Sequence, residues 1–313
     1  TSGSGDVGLI AGGSLDQTSN GDINTGSDVL LEAGNAWTMA GDAVISATGN
    51  VVGHVLSGDA TLGLINASNV GLTVSGSIVD GNDGSLNVSS TTLSLVSENG
   101  LVGGPDSLNG NSDENVNALD IAVESLAASS DSGIYISEAD DLTITAVGAL
   151  TVNVGLVLRA NFNSTTSPIT RDRSVSTLED LSTTTDGPIK VVSVGGSLTI
   201  DGGTDSVGVS AGGSGDVLLG SAQDVTVNAD VVSGSGNITL DAANDLSVNA
   251  AVSTAGSGTV YLVAGNDVAV NDSVTTVAGD ILVDATSNLT QDALITSGSG
   301  DVGLIAGGSL DQT

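Results

Sequence analysis

Through the C-terminal third of the chain one short pattern returns at nearly constant spacing. Runs beginning Gly215-Asp216-Val217, Gly236-Asn237-Ile238, Gly258-Thr259-Val260, Gly279-Asp280-Ile281 and Gly300-Asp301-Val302 follow one another at 21, 22, 21 and 21 residues. A fixed period of this length marks stacked units, none of which can bury its apolar face alone. Each unit carries three apolar elements, and all three keep register. The first supplies Val217, Ile238, Val260, Ile281 and Val302 and, two positions on, Leu219, Leu240, Leu262, Val283 and Leu304. The second gives Val225, Leu246, Val268, Leu289 and Leu310, and the third Val231, Val252, Val274 and Ile295. Within each element apolar residues alternate with polar or mixed ones, as in a strand with one buried face. Three such strands per turn of about 21 residues, with Gly, Asn and Asp between them, predict an all-β parallel β-helix (β-solenoid) of triangular section.

Composition agrees with a narrow core. Hydrophobic residues reach 39%, yet aromatics are 1% and Cys is absent. A compact globule leans on large aromatic side chains to fill its interior, whereas stacked aliphatic ladders do not need them. Mean hydropathy of +0.28 is too high for an acidic disordered chain. The charge is lopsided, with 37 acidic against 4 basic residues and a formal net of -33. Such a surface cannot neutralise phosphates, which excludes nucleic acid and an anionic membrane surface as direct partners. No apolar run approaches the length of about 18 residues that a membrane-spanning helix needs. No leader pattern is visible, and a start in mid-pattern at Thr1-Ser2-Gly3 reads as an excerpt.

A longer period lies over the short one. Residues 1–18 recur unchanged at 296–313, an offset of 295 residues. The whole of 1–313 is therefore expected to be one continuous solenoid segment, a 295-residue tandem period plus the overlap 296–313. At about 21 residues per coil the period holds about 14 coils and spans about 67 Å at one sheet spacing per coil. Neither end shows a cap, and open sheet edges are normally protected, so the next period is expected to continue the helix. Regularity is uneven. Starts near Gly5, Ser27, Gly49 and Gly71 keep the spacing, whereas residues 75–134 resist a register. The segment 159–190 holds all four basic residues, Arg159, Arg171, Arg173 and Lys190, with Phe162, Pro168 and Pro188. Its Pro and Ser/Thr clusters predict a loop excursion at 161–187.

The coils GNITLDAANDLSVNAAVSTA (236–255) and GDILVDATSNLTQDALITSG (279–298) resemble the filamentous-haemagglutinin-type repeats of large bacterial surface and exported proteins. The resemblance covers about two thirds of the chain. It implies a right-handed β-helix, secreted or held on a bacterial cell surface, acting as an adhesin or extracellular fibre.

Candidate sites follow from the ladders. Asp224, Asp245 and Asp267 recur at one corner of successive coils, and Asp216, Asp280 and Asp301 at another. Carboxylates stacked about 4.8 Å apart repel unless hydrated, protonated or bridged. They are candidate Ca²⁺ ladders, or simply turn formers that solubilise the rod. No cofactor is required. Outward positions of the first element include Leu218, Tyr261, Leu282, Val263 and Ile305, an apolar stripe suited to lateral contact or to lying beneath a loop. Arg159, Arg171, Arg173 and Lys190 either dock the excursion on an acidic face or pair locally with Asp172, Glu179 and Asp180. The lone His54 has no Cys or second His as a partner, so an outward or capping role is expected. An enzyme is not expected. Trp37, Tyr135, Phe162 and Tyr261 are too few aromatics for a sugar-binding cleft, and no base stands beside a nucleophilic Ser.

The expected function is mechanical: a stiff, acidic spacer in an extracellular filament or surface fibre, assembled from repeats end to end and by lateral contact. The alternative is an adhesin stalk that binds a cell-surface receptor or polysaccharide, with calcium's help, through residues 75–134 or the excursion at 161–187.

Overall fold

The computed structural model describes residues 2–105, 117–160, 162 and 165–313, with backbone alone at 156–160 and 168. Among these residues there is no helix; the chain forms a parallel β-solenoid of about 13 turns with about 22 residues per turn. No helix is long and apolar enough to cross a membrane. The ladders read from sequence are the ladders observed: Val217 pairs with Ile238, Ile238 with Val260, Val260 with Ile281 and Ile281 with Val302. The second and third elements stack likewise, through Val225, Leu246, Val268, Leu289 and Leu310 and through Val231, Val252, Val274 and Ile295. In strands such as Val260–Ala264 alternate residues are buried, and a single aliphatic core runs along the axis. Trp37, 1% exposed, fills that core between Leu15 and Ala60.

Corners are tight where the long strand begins. A Cβ added to Gly279 would lie 1.9 Å from the carbonyl oxygen of Gly258, one coil below, so only glycine lets the backbones stack there.

The section does not stay in phase along the rod. In the N-terminal half the long strands are Val7–Ala11, Val29–Ala33, Asn50–Val55 and Asn69–Val74, which share one face. Short strands such as Leu15–Gln17 and Ile23–Thr25 make the other two faces. At Leu119–Glu138 the corner between those short faces disappears. The strand Gly133–Glu138 takes up both ladders, Ile134 above Val102 and Glu138 beside Ile121. Meanwhile a new corner divides the old long face. Leu126 continues to Ile144, whereas Ala128 continues to Leu181. The long strands of the C-terminal half therefore lie on the side of the rod that faces away from the long strands of the N-terminal half. This exchange falls inside 75–134, the stretch whose register the sequence does not reveal; residues 106–116 of that stretch lie outside the described residues.

The excursion expected at 161–187 takes the form of a longer element. An antiparallel hairpin pairs Leu150–Ala160 with Thr166–Val175, with a bulge between Gly155 and Val157. Its root is closed by the bridge between Val147 and Leu178. The chain has rejoined the solenoid by Leu181–Thr183. Residues 161, 163 and 164 of the excursion lie outside the described residues. Because the hairpin and longer corners consume chain, a period contains fewer rungs than division by 21 suggests. The ladder from Leu15 reaches Val302 in eleven steps. With the part-turn that separates Leu15 from the repeat's own start, the rise is about 55 Å at about 4.8 Å per step.

Candidate functional site

The outer surface divides into corner ladders, a bare apolar stripe and a face under the hairpin. At one corner Asp224 Oδ1 accepts from Asn244 Nδ2 (2.6 Å) and from the backbone N of Asp245 (3.1 Å). Asp245 repeats this with Asn266 (2.7 Å) and Asp267 N (3.1 Å), and Asp267 with Asn288 Nδ2 (3.0 Å) and N (2.8 Å). Each carboxylate thus caps the amide of the next coil, and an interleaved Asn shares its charge. Bonds from the Asn288 backbone and side chain hold the Asp267 carboxyl below the usual range. At the second corner Asp216 Oδ1 accepts from Asn237 N (2.7 Å), and Asp280 Oδ1 from Asp301 N (2.8 Å). A third ladder is made of amides at the 21- and 22-residue spacing that reveals the others: Asn228, Asn249 and Asn271 bond side chain to side chain at 2.9 and 2.8 Å.

The apolar stripe is really two adjacent ladders. Leu218, Tyr261 and Leu282 lie on one, with Lys190 below, Thr239 between and Gly303 above. Val263 and Ile305 lie on the next, alternating with Asp241 and Asp284. Leu218, Tyr261 and Leu282 are half-buried by their neighbours, whereas Ile305 is 49% exposed.

The hairpin seals the equivalent outward positions of the N-terminal long face. Leu30 and Val52, both fully buried, pack with Val152, Val154, Val175 and Leu150 in a small second core. Gly71 makes room for Leu150 and Val175, which an added Cβ would meet at 3.0–3.2 Å. Beside this core stands a polar group. Arg173 pairs with Glu32, which is 8% exposed, and donates to the carbonyl of Asp172 at 3.0 Å. Arg173 thus takes its partner from a distant coil, and among the described residues this is the one ion pair. His54 lies next to Glu32 on the following rung. It faces the hairpin from a groove lined by Thr73, Val96, Ser174 and Leu178. Burial, seconded by the Arg173 charge, holds its pKa below the usual value. Arg171 is exposed on the hairpin opposite Val154, and Lys190 is half-buried between Tyr135 and Leu218. Arg159 pairs through its backbone with Ser167, and its side chain lies outside the described residues.

Two carboxyls away from the predicted ladders are strongly perturbed. Glu138 sits fully buried where the two short faces fuse, and burial pushes it up to about 8, although Val123 and Ala139 amides donate to it. Asp180, just past the hairpin root, is pushed up to about 6 by burial and by the neighbouring charge of Asp205. Neither belongs to a repeat, which is why spacing did not flag them.

No family model, curated protein or solved structure matches the chain.

Proposed function

We propose that this chain is a structural period of a bacterial extracellular filament or surface fibre, a stiff acidic rod extended by repeats joined end to end. One observation carries the reading. The recurring 18-residue segment forms the same pair of strands at both of its occurrences, Val7–Ala11 with Leu15–Gln17 and Val302–Ala306 with Leu310–Gln312. A following period laid over that segment continues the solenoid with no new joint. The resemblance of its coils to filamentous-haemagglutinin-type repeats supports an exported location. The charge of -33 supports a rod that repels its neighbours at low salt. The corner ladders supply rigidity that disulfides would otherwise provide, since each coil is fastened to the next by side-chain as well as backbone bonds. The reading involves no catalysis.

The test is electron microscopy of chains carrying one, two and three periods. Thin rods that lengthen by about 55 Å per added period support it. Separate beads joined by flexible necks overturn it.

A further inference from the structure

Away from the rod's regular ladders, one cluster has the makings of a ligand site. Glu179 and Asp180 lie where the chain re-enters the solenoid after the hairpin, and Asp205 lies on the corner of the next coil. One carboxylate oxygen from each falls within 4.8 Å of the others, and among the described residues no other group of three metal-binding side chains gathers so closely. Crowded carboxylates alone would mean little on so acidic a surface. Asp180 is the independent sign. It is 9% exposed, and its Oδ1 is buried without any hydrogen-bond partner. An unpartnered buried carboxylate oxygen is costly, and no basic side chain forms an ion pair with these three acids among the described residues.

The corner that brings Asp205 in is built around the acids. It runs for six residues, 201–206, where the following corners on this side use two or three. Thr204 donates to Glu179 through its backbone N (3.0 Å) and its Oγ1 (2.9 Å). Gly203 approaches so closely that an added Cβ would lie 2.7 Å from the Glu179 carboxylate. Asp205 Oδ1 is turned to the amide of Val207 at 2.9 Å. These bonds orient Glu179 and Asp205 without neutralising them.

We propose that Glu179, Asp180 and Asp205 form a calcium site that ties the root of the hairpin to the following coil. The donors are carboxylate oxygens with no His or Cys among them, which selects a hard cation. Calcium binds six to eight oxygens at about 2.3–2.6 Å, so oxygens across the ion sit about 5 Å apart, and water completes its shell. Magnesium, at about 2.1 Å and strictly octahedral, would require the three groups to close further. The site is independent of the filament reading, because it acts within one period.

Calorimetric titration of the 313-residue chain with CaCl₂, in salt sufficient to screen the diffuse charge, tests this. One sub-millimolar Ca²⁺ per chain is expected, weakened at least tenfold by Asp205→Asn or Glu179→Gln and unchanged by Asp245→Asn on the corner ladder. Asp205 is exposed, so its variant folds even if changes at buried Asp180 do not. Absence of binding up to millimolar calcium overturns the proposal. So does binding that Asp205→Asn leaves intact, or that Mg²⁺ displaces at equal concentration.

Discussion

The two long-strand faces of this rod have the same architecture and opposite fates. In the N-terminal half the outward residues Leu30 and Val52 are fully buried under a hairpin supplied by the same chain. In the C-terminal half the outward residues Leu218, Tyr261 and Leu282 have no second layer over them among the described residues, and their flanking ladder carries Asp241 and Asp284. A solenoid face thus tolerates apolar outward side chains in two ways. It can be roofed, which adds a second small core, or it can intersperse carboxylates that keep the stripe hydrated. Among the described residues only the roofed face holds an ion pair, Arg173 with Glu32, because the hairpin excludes water there.

Truncating the same residue type on each face should separate them most sharply. Leu30→Ala is expected to cost about 2–4 kcal/mol, read as loss of hairpin protection in hydrogen exchange and proteolysis. Leu218→Ala should stay within about 0.5 kcal/mol. Equal losses would mean that the bare face is also covered in solution, which lateral association would explain.

Removing the hairpin's cation comes next. Arg173→Ala leaves Glu32 confined without a partner and should loosen the hairpin by about 1–3 kcal/mol, a figure reduced by the partial exposure of Arg173. Lys190→Ala, the corresponding change on the bare face, should be nearly silent. A double-mutant cycle with Glu32→Gln checks the pairing.

Acid should also act on the two faces in different senses. His54 has a folded pKa below 6.5, so the folded state binds fewer protons than the unfolded one. Its docked environment is favoured above pH 6.5 and loses stability as pH falls through the lowered folded value. Hairpin protection measured from pH 7.5 down to 5 should fall, and His54→Asn should flatten that part of the profile. Glu138, at the junction of the two halves, works in the opposite sense. Its raised pKa of about 8 gives stability that is full below about 4.5 and lost as pH rises through 8. Glu138→Gln should therefore remove that slope from thermal melts while leaving the hairpin unaffected.

The smallest effect belongs to the corners shared by both halves. Asp245→Asn retains an oxygen for Asn266 and the amide of Asp267, and should shift stability by less than about 0.5 kcal/mol.

How much of this was legible depended on whether a feature repeats. Val217, Ile238 and Val260 announce their ladder because each sits at the same corner offset, and the solenoid follows from them. Leu150–Ala160 alternates just as a rung does, so its local pattern does not say that it pairs antiparallel with Thr166–Val175. Its 11 residues, about twice a rung, were the available clue, although Asn153 and Gly155 inside it look like a corner. Glu32 and Arg173 are brought together only by folding the hairpin back over earlier coils, and no spacing encodes that. The Asp ladders were visible, but their hydrogen bonds to the next coil's amides depend on the tilt of each corner, which only coordinates provide. The corner exchanged at Leu119–Glu138 erased the period itself, leaving the sequence there without a phase to read.

That exchange governs how a continued rod would look from outside. The strand Val302–Ala306 has the sequence of Val7–Ala11 but lies in the ladder founded by Leu15, on the side facing away from its twin. If successive periods overlap at this segment, each is turned to the other side of the axis, as in a two-fold screw. Roofed and bare faces then alternate along any one flank, and hairpins project left and right in turn, like leaves on a stem. Two parallel rods could interlock only when shifted by one period, so the handover of a single corner would set the stagger of the whole fabric.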